Sequence, residues 1–140
     1  MNTSMKIVDK MFDQDAFSQW LGIEIVDLSK GYCKLKMKVR GEMLNGFHIA
    51  HGGIAYSLAD SALAFASNSN GKKSLSVETS ISHAVAIKEG DDLIATTEEL
   101  SFSDKIGVYN VSITNNKNEK VAFFKGTVYH TSKDWLSENE

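Results

Sequence analysis

A lone carboxylate and a pair of glycines are the parts of this sequence best suited to chemistry. The carboxylate is Asp60, inside the run from Ile54 to Asn68. On a wheel at about 100° per residue, Ile54, Ala55, Leu58, Ala59, Ala62, Phe65 and Ala66 form one wide apolar arc, extended by Leu63 and Tyr56. The narrow face left over holds Ser57, Asp60, Ser61, Ala64 and Ser67, and the run contains no lysine, arginine or glutamate. A surface helix normally carries such residues, so this one is expected to be buried nearly all round. A carboxylate in a buried helix needs a partner or a job. Two readings stand: a structural aspartate bonded to its serines, or a functional group. The small neighbours favour the second, because they leave room beside Asp60 for a ligand or another backbone.

The glycines belong to His51-Gly52-Gly53, just where the helix begins. The first turn of a helix has N–H groups without partners and the positive end of the dipole. Glycine lets an incoming carbonyl approach that backbone closely. Such a site suits the oxyanion that develops in acyl transfer, although paired glycines also occur in plain loops. Gly52 and Asp60 are eight positions apart, roughly 12 Å at about 1.5 Å per residue. One carbonyl needs both groups within about 3–3.5 Å. A single chain cannot deliver both; two antiparallel helices from two chains can. If this chemistry operates, a dimer is obligatory.

The elements that would position these groups follow from periodicity. Ile7, Val8, Met11 and Phe12, then Ala16, Phe17, Trp20 and Leu21, recur at helical spacing, with a break near residues 13–15 and a stop at Gly22. Strands are expected over 23–28 and 32–39, joined by Ser29-Lys30-Gly31. In the second, Cys33, Leu35, Met37 and Val39 face the core while Lys34, Lys36 and Lys38 face water. Residues 40–50 read as loop, with Asn45-Gly46 as the sharpest turn signal, and polar residues 68–74 close the long helix. Four strands are expected after it, over 75–86, 92–101, 106–114 and 121–130, and short connections favour antiparallel pairing. The tail from Thr131 reads as polar and frayed, unless Trp135 and Leu136 anchor it.

Composition sets outer limits. The 140 residues fit one domain over 1–140, and 42% hydrophobic with 24% charged residues is ordinary for a globular protein. A net charge of −3 argues against nucleic acid as partner. The single cysteine excludes an internal disulfide, no run is long and apolar enough to cross a bilayer, and the N-terminus lacks a signal pattern. Together these favour a cytoplasmic location without membrane partners.

The run from Asn45 through His51-Gly52-Gly53 and Leu58-Ala59-Asp60 to Ala62, followed by Ala64, Ala66, Asn68 and Ser69, resembles the hotdog-fold acyl-CoA thioesterases of phenylacetate degradation. Leu21-Gly22-Ile23, Lys88-Glu89-Gly90-Asp91 and the strand from Val121 to Thr127 are similar to other parts of that family. The resemblance implies an α+β fold, a curved antiparallel sheet wrapped around one long central helix. It implies a homodimer or a dimer of dimers that hydrolyses an aryl-acetyl or medium-chain acyl-CoA with its active site at the subunit interface. Asp60 takes the place of the nucleophile or general base and Gly52 that of the oxyanion donor. Asn45 matches an asparagine that orients the carbonyl or water, His51 a histidine of the same loop, and Ser76, more loosely, a serine that positions water. No cofactor or metal is implied. The family usually has a proline ahead of the Gly-Asp turn; Ala84 to Ile87 contains none, so that wall is expected to differ.

Gly53, Phe47 and Tyr56 are candidates to line the substrate site, and the two aromatics serve equally well as packing. Cys33 reads as core, and His83 and His130 as structural. His48 and His51 lack a third metal ligand nearby. Lys72, Lys73, Lys88, Lys105 and Lys125 are candidates for CoA phosphates. Two rival readings share the cleft: a hotdog dehydratase or hydratase using His51 and Asp60, and a non-catalytic acyl-CoA binding module. The missing proline-bearing loop counts against the first, and the joint presence of Asn45, Gly52 and Asp60 against the second.

Overall fold

A computed structural model describes residues 2–137. The elements in order are α1 (Thr3–Asp13), α2 (Ala16–Leu21), β1 (Glu24–Ser29), β2 (Tyr32–Lys38), α3 (Gly52–Asn68), β3 (Lys72–His83), β4 (Asp92–Phe102), β5 (Ile106–Thr114) and β6 (Lys120–Asp134), with a 3-10 turn at Gly41–Met43. All six strands pair antiparallel in the order β1-β2-β4-β5-β6-β3. Helix α3 packs against every strand from β2 to β6. This is the expected α+β architecture, a sheet around one long helix.

Local chemistry explains the boundaries. The Asn2 side chain caps α1 by accepting the Met5 N–H, and Asp15 caps α2 by accepting the Ser18 N–H. Gly22 ends α2 in the left-handed region at φ 75°, which glycine adopts without a Cβ penalty. In β2, Cys33, Leu35 and Met37 are buried as their alternation requires, and Val39 beyond it is buried too. Lys34 and Lys36 sit opposite Asp27 and Glu24 on β1, and Lys38 lies 3.7 Å from Asp92 on β4. The lysine stripe is thus balanced by cross-strand acids.

The core lies between α3 and the inner face of the sheet. Ile54, Ala55, Leu58, Ala59, Ala62, Leu63, Phe65 and Ala66 are buried there with Leu35, Met37, Leu93, Ala95, Tyr109, Val111, Ile113, Phe124 and Val128. The Ile7 and Val8 side chains of α1 are fully buried, and Phe12 packs its ring on Phe65.

Three expectations need correction. The helix is not buried nearly all round within one chain: Gly52 and Gly53 are exposed, and Tyr56, Ser57, Asp60, Ser61 and Ala64 remain half-buried. The sheet covers only one side of it. Next, β3 begins at Lys72 rather than 75 and ends at His83 rather than 86. It pairs with β6, at the far edge of the sheet. The link 84–91 must therefore carry the chain back across the sheet, and it passes the start of α3, where the Ala50 N–H donates to Ile87 O. Finally, the tail is not frayed from Thr131, because β6 continues to Asp134. Lys72 and Asp134 form a 2.8 Å ion pair, Thr131 Oγ1 donates to Lys73 O, and Trp135 Nε1 donates to Asn68 Oδ1. The start of β3 and the end of β6 hold one another, and each looks polar because that end of the ladder is solvated.

Gly126 shows how tightly α3 sits on the sheet. A Cβ there would lie 2.5 Å from Leu63 Cδ2, inside the core. Gly126→Val is expected to destabilise the fold by about 1–3 kcal/mol through overpacking. A second change, Leu63→Ala, should give a double mutant less destabilised than the sum of the two single changes; chemical denaturation measures both.

Candidate active site

The start of α3 is built to leave one amide free. His51 is the N-cap, and its Nδ1 accepts the Gly53 N–H at 2.9 Å. That bond makes Nδ1 an acceptor, so a neutral His51 carries its proton on Nε2. The Ile54 N–H donates to His51 O. The Gly52 N–H has no hydrogen-bond partner among the described residues, and it lies at the positive end of the helix dipole.

Beside that amide is a hollow of about 310 Å³ lined by Asn45, His51, Gly52 and His83 as its polar groups, with Ile49, Ala55, Val85 and Ile87 among the apolar ones. Asn45 is fixed by its own loop. Its Oδ1 accepts the Phe47 N–H at 2.9 Å and, more weakly, the Ile49 N–H at 3.4 Å. Both partners are donors, so the oxygen is spoken for and the Nδ2 hydrogens are left for a ligand. The Asn45 N–H donates to Ile49 O at 2.8 Å, which closes the loop. The hollow therefore gathers hydrogen-bond donors around apolar walls, the arrangement that suits a carbonyl oxygen gaining negative charge.

Asp60 is elsewhere. It lines a separate depression of about 160 Å³ with Ser67, Ser74, Ser76 and Val128. Asp60 and Ser76 are thus brought together, and neither reaches the hollow at Gly52. Burial pushes the Asp60 carboxyl above its ordinary value, and the nearby Asp15 charge pushes it the same way. Asp15 is held there by Ser18, whose hydroxyl bonds Asp15 at 2.6 Å and Ser61 at 2.8 Å. The α2 cap thereby fixes α2 to α3 next to Asp60. No described side chain gives Asp60 a hydrogen bond or an ion pair.

A third hollow, about 330 Å³, runs along the exposed edge of α3 past His51, Gly53, Ile54 and Ser57. Its outer wall is Phe17 and Trp20, exposed and stacked with their planes 10° apart. Arg40 lies 4.9 Å over the Trp20 ring and donates to Leu21 O, which holds the aromatic pair upright. Tyr56 is engaged in packing: its hydroxyl bonds Thr79 Oγ1 and its ring meets Phe124 edge-on. Phe47 is 84% exposed and lines none of these hollows. A larger hollow of about 390 Å³, among Glu98, Asn110, Phe123 and Lys125, involves the outer face of the sheet and none of the groups above.

Other candidates sort by position. Cys33 is fully buried, its Sγ donates to Ala62 O, and burial pushes the thiol up to about 12, which suits a core residue. Lys72 pairs with Asp134, and Lys73 and Lys105 lie over Trp135 and Tyr129. Lys88 directly follows Ile87 of the Gly52 hollow. His130 is buried with its Nδ1 2.8 Å from Ser74 Oγ, as a structural histidine should be. His83, expected to be structural as well, is exposed and lines the Gly52 hollow. Its position was legible, because Thr79, Ile81 and His83 alternate on the inner face of β3. The Phe17–Trp20 wall gave no signal of its own, since the same spacing describes an ordinary amphipathic helix.

Residues 47–122 match the family model described as Thioesterase superfamily. Among curated proteins, the chain is 38% identical over 130 residues to one named "Putative esterase" from Archaeoglobus fulgidus, covering 93% of this chain and 84% of that one. It is 36% identical over 116 residues to the acyl-coenzyme A thioesterase PaaI of Escherichia coli, covering 83% of each. The solved structure of Escherichia coli PaaI superposes with a TM-score of 0.92 at 32% identity, covering 94% of this chain and 96% of that one. A hypothetical thioesterase of Streptococcus pneumoniae, solved with coenzyme A, superposes with a TM-score of 0.84 at 28% identity, covering 89% and 98%. That protein has also been solved with an aspartate replaced by alanine and with a threonine, sixteen positions later, replaced by alanine.

The carboxylate of Asp60 makes a stability prediction. A folded-state pKa raised by burial means that ionisation costs folding energy; the cost is absent below the unfolded-state pKa and sets in as pH rises through the raised value. Asp60→Asn is therefore expected to raise the midpoint of thermal unfolding at pH 7, with the gain shrinking as pH is lowered. A midpoint lower than wild type at pH 7 would contradict this reading of the site.

Proposed function

The chain belongs to the thioesterase superfamily, as a hotdog-fold thioester hydrolase of the PaaI-like type, and from that premise we propose that it hydrolyses an acyl-CoA to free acid and CoA in a cleft shared by two copies of the chain. The observation that carries the reading is the separation of the parts. The free Gly52 amide and the half-buried Asp60 line different hollows of one chain. A second copy running antiparallel brings its Asp60 to the first copy's Gly52.

The edge of the sheet supports that assembly. Strand β3 is twelve residues long, contains no proline, and leaves Leu75 68% and Val77 62% exposed. A long exposed edge with apolar side chains is a template for pairing with another chain. Pairing β3 with its symmetry mate extends the sheet and covers Leu75, Val77 and the exposed stripe of α3 together. The working unit is then a homodimer, alone or within a dimer of dimers, each chain acting as one hotdog unit.

Each residue has a role in that cleft. The thioester oxygen accepts from the Gly52 N–H, where the dipole of α3 favours the growing negative charge. His51 holds the cap and offers its Nε2–H to the same space. Asn45 Nδ2 orients the carbonyl or the attacking water. Asp60 of the second copy either attacks the carbonyl carbon or takes a proton from water that does, and both routes need the ionised carboxylate. Ser76 beside it holds the water. The sixteen-residue spacing of Asp60 and Ser76 equals that of the aspartate and threonine replaced in the Streptococcus pneumoniae protein, which supports pairing these two roles. In either route C–S cleavage releases the CoA thiolate, which takes up a proton, and after direct attack water hydrolyses the acyl–Asp60 anhydride to the free acid.

The acyl group is an aryl-acetyl or medium-chain one, accommodated along Gly53 and Ser57 against the Phe17–Trp20 wall, with Tyr56 stiffening the helix face. Lys88 is the best placed of the lysines for a CoA phosphate, given its place after Ile87. Coenzyme A in the Streptococcus pneumoniae structure supports the ligand class.

Release of free thiol from a panel of aryl and medium-chain acyl-CoAs tests the reading. Asp60→Asn is expected to lose on the order of 100- to 10,000-fold in kcat with the fold intact. The wild-type rate should fall with acid at a higher pH than an ordinary aspartate would set, because burial raises the Asp60 pKa. Turnover unchanged in Asp60→Asn would end the proposal. Leu75→Lys combined with Val77→Lys should yield a monomer without activity; an active monomer in sedimentation and assay would remove the shared cleft.

A further inference from the structure

The start of α3 offers fewer donors than an oxyanion site wants. A carbonyl oxygen has two lone pairs and takes two hydrogen bonds as charge develops. Of the first amides of α3, Gly53 is taken by His51 Nδ1 and Ile54 by His51 O. Only the Gly52 N–H is left among these amides, so the second donor is a side chain, and the hollow offers Asn45, His51 and His83.

We propose that His83 supplies it, as a catalytic residue whose ring N–H donates to the same carbonyl oxygen that the Gly52 N–H holds. His83 is the last residue of β3, on the strand face that sends Thr79 to Tyr56 and packs Ile81 on the core. Its Nε2 lies 3.3 Å and its Cε1 3.6 Å from the point where a Cβ on Gly52 would stand. The edge of the ring thus overhangs the α3 residue with the free amide. The glycine at 52 keeps that space open, and a Cβ there would crowd the imidazole. No hydrogen bond or ion pair engages the ring among the described residues, in contrast to His130, which is buried and bonded to Ser74. An exposed imidazole without a partner, lining a hollow beside an unpaired amide, has the placement of a group kept for a ligand. With Gly52 and His83 on the oxygen, Asn45 Nδ2 is free to hold the attacking water. The proposal rests on the reading of Gly52 as the oxyanion donor.

Steady-state release of CoA thiol by wild type, Asp60→Asn, His83→Leu and His83→Gln separates the two. Loss of one oxyanion donor is worth about 100- to 1,000-fold in kcat, so His83→Leu is expected to fall by about that factor, with KM changed less than about twofold because the interaction is made in the transition state. Glutamine carries an N–H at similar reach, and His83→Gln should recover at least about a tenth of the wild-type kcat, since the donor rather than the ring is what counts. Circular dichroism and sedimentation should show all variants folded and assembled alike. His83→Leu with wild-type kcat, while Asp60→Asn is inactive, overturns the role of His83 and leaves the hydrolase reading standing. Equal losses in the Leu and Gln variants, or a rise in KM without a fall in kcat, overturn it too. Full activity in Asp60→Asn removes the cleft itself and this inference with it.

Discussion

An α-helix fixes the distance between its own residues, and that rigidity governs this molecule. The free amide of Gly52 stands at the first residue of α3, and the carboxylate of Asp60 follows eight positions later, roughly 12 Å along the axis. No rotamer change brings them to one carbonyl. In the proposed cleft the useful ends of α3 belong to two different sites, and each is half built until a second helix lies alongside. The proposed pairing accounts for three features of one chain: a stripe of small residues left half-buried on α3, an outer edge of β3 with Leu75 and Val77 exposed, and donors gathered around a hollow that lacks the carboxylate.

The rest of the fold serves to hold α3 in that state. Packing on β2 to β6 buries the apolar arc, and Gly126 lets Leu63 sink into the sheet. The 84–91 link crosses the start of the helix because β3 lies at the far edge, and that crossing puts Val85 and Ile87 beside Gly52. The α2 cap, Asp15, is tied through Ser18 to Ser61 and sets a second negative charge near Asp60. Burial and that charge both hold the Asp60 pKa up, a cost to stability at neutral pH of the kind functional sites carry.

Much of this was legible in the sequence. The absence of long charged side chains between Ile54 and Asn68 marked the helix around which the sheet is built, and the strict alternation in β2 gave its inner face. The spacing of Gly52 and Asp60 put them out of reach of one carbonyl, and they do line separate hollows. Other parts were hidden for physical reasons. The length of β6 depends on a ladder with β3 whose residues are polar because that end is wet. The sheet order depends on a crossover, which no local pattern encodes. The seclusion of α3 is less than its lack of charge suggests, because composition does not say that the sheet covers only one side of the helix. Alternation with Thr79 and Ile81 aims His83 inward; what alternation does not encode is that the helix end facing it has a spare amide.

Complementation between two inactive chains reaches the central claim most directly. Asp60→Asn leaves the glycine amide intact, and Gly52→Val leaves the carboxylate intact. Co-expressed with different tags and purified together, the pair is expected to recover about a quarter of wild-type turnover, because half of randomly formed symmetric dimers hold one complete site of two. Recovery confined to the dimer carrying both tags would agree with a cleft made from both chains. No recovery in that isolated mixed dimer would show that the amide and the carboxylate work within a single chain or not at all.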